Sequence, residues 1–223
     1  MADKSLVVVA LPRRRTQEQR IAQSDRRMIQ AAVESLVKLG VAGTTLAIIG
    51  ARSGYSRGLV THRFGSKAGL LAHLHDEVAA RWIGRMRTAV GDAQGIDAMR
   101  CVIDALCGFI IESPDELRAM YLLRYASIDP AAEYRANVSK VHRAQCRDVR
   151  RWLEAGQALG TVSKSIEAEF TAELFCATVD GILYRWLVNP RVPVRELHRL
   201  LSDELTRALA APRTSARSRD PDR

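Results

Sequence analysis

A chain of 223 residues, 47% of them hydrophobic, is long and apolar enough for one large domain or a small one joined to a larger, so disorder throughout is excluded. Its net charge of +9 is unevenly held: residues 1–71 carry 12 Lys or Arg against 4 Asp or Glu, and residues 72–223 carry 22 against 21, which places the excess suited to a polyanionic partner in the first third. No apolar run approaches the ~18 residues of a membrane span, and Pro12 with Arg13, Arg14 and Arg15 stand where a secretory leader would have its cleavage site, so a cytoplasmic protein without a membrane partner is expected.

Residues 1–15 read as a flexible arm whose arginines, with Arg20, either add phosphate contacts or simply solubilise the chain. Thr16 followed by Gln19 forms a capping box, after which Ile21, Met28, Ile29, Ala32, Val33 and Leu36 recur at helical spacing until Gly40 stops the pattern. Thr44 or Thr45 caps a short second helix carrying Leu46, Ile48 and Ile49. Gly54 suits the left-handed residue that ends a helix, and Ser56 caps a third helix from Arg57 to Phe64, which together make a tight helix-turn-helix corner. On that third helix Val60 and Phe64, four apart, share an inward face, while Arg57, Gly58, Thr61, His62 and Arg63 face outward. An apolar anchor behind and hydrogen-bonding groups in front are what a helix entering a DNA groove requires.

Gly65 ends the third helix and Ser66 caps a fourth, whose stripe of Leu71, Leu74, Val78 and Trp82 runs to about Arg87 and bridges two parts of the molecule. From Asp97, residues Val102, Ile103, Leu106, Phe109 and Ile110 mark a fifth helix. Ser113-Pro114-Asp115-Glu116 reads as a capping box opening a sixth, and Asp129-Pro130 as the start of a long seventh that ends near Gly160. Ser163 or Ser165 caps an eighth helix, with Ile166, Phe170, Leu174, Ala177, Gly181, Ile182 and Trp186, which Asn189-Pro190 terminates. A ninth starts near Pro193 and carries Leu197, Leu200, Leu201, Leu205 and Leu209. The last pair offers more apolar surface than one subunit covers, which predicts a homodimer through these two helices, the alternative being an ordinary internal core. The tail from Pro212 to Arg223 reads as disordered.

Chemistry-bearing patterns are sparse. Cys101, Cys107, Cys146 and Cys176 show no CxxC spacing and read as small buried hydrophobes, so no metal site is expected. His73 and His75 fall on different faces of a helix, and His142 and His198 are isolated residues of a surface or a cap. With no Gly-rich phosphate loop, GxSxG elbow or triad, the chain is expected to have no catalytic residues and no cofactor.

From Arg26 to Leu71 the chain resembles the tetracycline-repressor (TetR) family of transcriptional regulators. The residues that carry the likeness are Ala31-Ala32, Leu36 and Gly40, Thr44-Thr45, Gly54, Ser56-Arg57-Gly58, His62, Phe64, Ser66-Lys67 and Leu70-Leu71. The resemblance implies an all-α protein of about nine helices: a helix-turn-helix DNA-binding domain at 16–65 and a larger helical ligand-binding and dimerisation domain at 66–211. It implies a ligand-responsive repressor that binds a palindromic double-stranded operator as a homodimer. Two departures stand out, Gly50 beside Ile49 where the family often has alanine, and Thr61 where it has tyrosine. Gly50 is expected to weaken the second helix by ~1 kcal/mol, and Thr61 to offer a hydroxyl to phosphate or a methyl to thymine.

Arg57 is the candidate for bidentate reading of a guanine, with Gly58 allowing close approach, Leu59, Thr61 and His62 adding contacts, and Ser56 and Arg63 flanking them. Thr45 and Lys67, at helix starts, are candidates for phosphate. For the effector, Phe109, Tyr121, Val149 and Phe175 are the candidate pocket residues, and the scarcity of charge on those faces predicts a small hydrophobic or amphipathic molecule. Two rivals remain: a non-specific architectural DNA-binding protein, which charge alone permits, and a dimeric small-molecule binder that has lost DNA binding, against which Arg57, His62 and Lys67 together argue.

Overall fold

The computed structural model describes residues 16–211; the expected arm at 1–15 and tail at 212–223 lie outside them. Among the described residues there are nine α-helices: α1 Gln17–Gly43, α2 Leu46–Ser53, α3 Arg57–Phe64, α4 Lys67–Val90, α5 Gly95–Glu112, α6 Pro114–Ala126, α7 Arg135–Ala158, α8 Ala168–Val188 and α9 Val194–Leu209. None is long and apolar enough to cross a membrane.

The head of the molecule is built by local signals that all point the same way. Thr16 accepts from the Gln19 N–H while the Gln19 side chain accepts from the Thr16 N–H, closing the capping box of α1. Gly40, with φ of 68°, kinks α1 as expected, although one more turn follows to Gly43. Of the two threonines after it, Thr45 caps α2 by accepting from Ile48, whereas Thr44 is buried and donates back to the Gly40 carbonyl. Gly54 closes α2 in the left-handed conformation and Ser56 caps α3 by accepting from Leu59.

Gly50 does more than weaken α2. A Cβ at this position would stand 2.8 Å from the Tyr55 carbonyl and 3.0 Å from the Arg57 nitrogen, so glycine lets α2 seat directly on the corner and the start of α3. Gly50→Val is therefore expected to wedge the corner apart, lowering stability by about 1–3 kcal/mol; thermal melting with duplex binding on the same sample checks this.

Below the head, α4 to α9 form a bundle in which α4 packs on α5, α6 and α7, α7 on α8, and α9 across α5 and α8. One apolar cluster runs through both parts, from Met28, Leu36, Ile49 and Val60 through Leu70, Leu74 and Trp82 to Phe109, Leu153 and Leu183. The head rests chiefly on α6, against which α1 packs far more extensively than against α4. Bridging by α4 is thus shared with a second helix.

Three helix starts differ from expectation. Pro114 opens α6 as expected, but Ser113 makes no side-chain cap, and the Glu116 carboxylate, the other half of the expected box, accepts from Arg81 on α4 at 3.0 Å. α7 begins at Arg135 and not at Asp129-Pro130: the Asp129 carboxylate accepts from Ala131, and successive turns occupy the backbone until Tyr134. Neither Ser163 nor Ser165 caps α8, since the two hydroxyls bond each other at 2.8 Å and the Gln157 side chain holds the loop by donating to the Ser163 and Ile166 carbonyls. The cysteines are half-buried and free, and His198 is fully buried on the inner face of α9, with its Nδ1 3.0 Å from the Cys107 sulfur, instead of on a surface.

Candidate nucleic-acid interface

α3 sits on the head with Val60 fully buried and Phe64 half-buried against the His73 ring, 5.3 Å between centroids. That leaves Arg57, Gly58, Leu59, Thr61, His62 and Arg63 on the exposed side. Among the described residues the side chains of Arg57 and His62 have no hydrogen-bond or ion-pair partner, so both are available to an outside ligand. Gly58 has a helical backbone, and a Cβ added there would come no nearer than 3.8 Å to anything inside the protein. Nothing among the described residues requires glycine at this position.

The other residues singled out on this face already hold partners. The Arg63 guanidinium forks onto the Asp25 carboxylate of α1 at 2.6 and 2.5 Å, and this carboxylate raises its pKa further. Arg63 thus struts α3 against α1 and does not project freely. The Thr61 hydroxyl donates to the Arg57 carbonyl, leaving its lone pairs and methyl for contact. Leu59 lies over a shallow groove with Arg20, Ile21 and Tyr55. Lys67 donates one ammonium N–H to the Ala42 carbonyl at 3.2 Å, which closes the end of α1 and keeps two N–H groups for an anion. The Thr45 and Ser56 hydroxyls serve as caps, and the first-turn N–H groups behind them are those a helix leaves unpaired.

A second region lies inside the bundle. A small, largely apolar cavity of about 60 Å³ opens between α4, α5, α7 and α8, with Trp82, Met86, Leu106, Val149, Trp152 and Phe175 among its walls. Val149 and Phe175 line it as expected; Phe109 stands a layer behind, edge-on to Trp82 at 4.7 Å, and Tyr121 lies behind Asp180. The expected scarcity of charge does not hold, because Gln145, Asp148 and Asp180 also form the wall. Asp148 is taken by Arg87 at 2.9 Å and by Arg151, and Asp180 accepts from Tyr121 at 2.7 Å and from Arg124 at 2.9 Å. Helical periodicity hides this cluster, since each of its residues is a lone polar position on an otherwise apolar face.

The third feature is an uncovered stripe. Phe170 at 74% exposure, Leu174 at 68% and Val188 at 68% stand in line on α8 with Ala177, Gly181 and Tyr184, and Leu200 is exposed on the neighbouring α9. The spacing of four and three residues keeps them on one face.

A sequence model of the bacterial regulatory proteins of the tetR family matches residues 28–74, which span most of α1, the corner and the start of α4. The transcriptional regulator BetI 1 of Chromohalobacter salexigens is 25% identical over 188 residues, covering 83% of this chain and 90% of its own. TtgR of Pseudomonas putida is 28% identical over 186 residues, 79% and 86% of the two chains. Among solved structures, SmeT, the repressor of the Stenotrophomonas maltophilia multidrug efflux pump SmeDEF, shares the fold with a TM-score of 0.69 at 22% identity, over 84% of this chain and 92% of its own; SmeT is also known in complex with triclosan. With the exposed face of α3 and the corner behind it, these likenesses give the chain a DNA-binding domain of the tetR type at residues 28–74 and make it similar, over most of its length, to DNA-binding transcriptional regulators.

Proposed function

We propose that the protein is a cytoplasmic, ligand-responsive repressor that binds a palindromic operator as a symmetric homodimer. The observation that carries this is the outward edge of α3, where Arg57 and His62 have no side-chain partner among the described residues and Gly58 keeps the approach open. Arg57 reads a guanine edge in the major groove, with Leu59, Thr61 and His62 beside it, while Lys67 and the α2 start around Thr45 hold phosphates and set position. Ser56 shapes the helix start, and Arg63 acts through its strut to α1. The α8 stripe with Leu200 pairs two copies, so that two α3 helices stand about one helical turn or more apart.

The cavity beside Val149 and Phe175 is the effector chamber, with Phe109 and Tyr121 supporting its walls. At about 60 Å³ it is too small for an amphipathic effector as it stands, so an effector must spread the surrounding helices. That supplies the differential affinity between two states on which release from DNA depends. SmeT with triclosan shows a protein of this fold holding a small apolar ligand.

Two substitutions separate reading from positioning. Arg57→Ala is expected to cost about 1–3 kcal/mol at one base position per half-site, whereas Lys67→Ala weakens all duplexes alike and flattens the salt dependence. Titration of operator and scrambled duplex over a salt series checks the assignment, and an exchange of the two effects would reverse it.

A further inference from the structure

The buried polar cluster behind the chamber has more donors than the described residues satisfy. Arg124 on α6 is buried, with Nη1 on Asp180 at 2.9 Å, Nη2 on Gln145 at 3.3 Å and the guanidinium 5.3 Å from the Tyr121 ring, yet its Nε–H has no partner. His75 on α4 has no exposed surface and both ring nitrogens lack hydrogen bonds; its nearest carboxylate, Asp76, is 3.6 Å away, too long for one. The Nε2 of His142 on α7 is likewise buried and unpaired. Arg124 is close enough to both rings for its charge, after burial itself, to help hold them neutral. Of the acceptors nearby, one oxygen of Asp180 already accepts from both Tyr121 and Arg124, and the Gln145 side-chain carbonyl accepts from Arg124; none of them reaches Arg124 Nε or the two rings.

A buried N–H without an acceptor is costly, and three such side chains converging from three helices mark a place where an acceptor belongs. Gln145 and Asp180 stand between this cluster and the apolar cavity, and they form part of its wall.

We propose that Arg124, His75 and His142 form the head-group end of the effector chamber and take the carboxylate of an amphipathic acid whose apolar body lies among Trp82, Met86, Trp152 and Phe175. This rests on the effector reading and names the chemical class of the ligand. An anion suits the site because it supplies acceptors to Arg124 Nε and to the ring N–H groups without displacing Asp180. It also contacts α4 and α6, the two body helices that touch the head, so a shift of either is felt at α1 and α3.

The test compares straight-chain acids from hexanoate to myristate with the alcohols and amines of matching length, by calorimetry on the full chain and by release of bound duplex. The acids are expected to bind roughly tenfold or more tighter than the alcohols, as a charged hydrogen bond allows, and the amines not at all. Removing Arg124 alone would strand Asp180, so the charge-neutral pair Arg124→Met with Asp180→Leu is used, and separately His142→Gln. Each is expected to weaken the acids roughly tenfold or more and the alcohols far less. Equal binding of alcohols or amines, or no binding by any acid, overturns the carboxylate assignment; release of duplex by the alcohols would then still support the effector reading. Acid binding lost in these variants but without effect on duplex release would keep the subsite and sink the effector reading.

Discussion

Leu174→Glu is expected to turn the protein into a monomer that no longer holds its operator at physiological salt. Leu174 is 68% exposed in a line with Phe170, Ala177, Gly181, Tyr184 and Val188, the apolar line that the proposed homodimer covers. In a two-fold arrangement the same patch meets itself, so one substitution places two carboxylates in the seam. Each α3 then binds its half-site alone, and the gain from tethering, of the order of 10²–10⁴ in affinity, is lost. Sedimentation velocity checks the mass and duplex titration checks the affinity. The contrast with Arg57→Ala is in kind: the α8 variant keeps an intact reading edge and retains its preference for one half-site sequence, whereas Arg57→Ala remains a dimer with a relaxed preference.

Acid is expected to loosen the fold through His75. Burial, with a further push from Arg124, lowers its pKa from 6.5 to about 4, and His142 and His198 are lowered too, chiefly by burial. The unfolded chain therefore takes up a proton near pH 6.5 that the folded chain refuses until about pH 4. Stability from this group is complete above the higher value and falls as pH drops toward the lower one, by about 3 kcal/mol over the whole interval. His75→Leu removes the group and is expected to flatten the slope over that interval. Urea unfolding of both proteins at several pH values between neutral and acid checks it, and parallel slopes would show that His75 does not carry the effect.

The head was legible because its signals are local. Thr16 with Gln19, Thr45, Gly54, Ser56, Gly65 and Ser66 each act within four residues of themselves, and each stands where the sequence places it. The misread helix starts have other causes: local turns from Asp129 to Tyr134 delay α7, the Glu116 carboxylate is drawn to Arg81, and Gln157 holds the loop that Ser163 and Ser165 occupy. Distant groups engage Arg63 and Lys67 in the same way. A cation on an exposed helix reads as free, and only the fold brings Asp25 and the Ala42 carbonyl within reach.

The lining of the cavity was legible in part. Val149 and Phe175 follow from apolar periodicity, but Arg124, His75, His142 and Asp180 come from four helices spread over more than a hundred residues, and no spacing links them. Gly50 shows the opposite error, for a propensity argument saw only its cost and missed the backbone that passes 2.8 Å from where a Cβ would be.

The central claim is that the exposed edge of α3 reads base pairs in a symmetric pair of heads. Selection of bound duplexes from a random pool, run on the native chain and on Arg57→Ala, tests it most directly. The account predicts a palindrome from the native chain and, from the variant, the same palindrome with one position per half-site relaxed. A pool that emerges without sequence preference, or a consensus unchanged by Arg57→Ala, would contradict it.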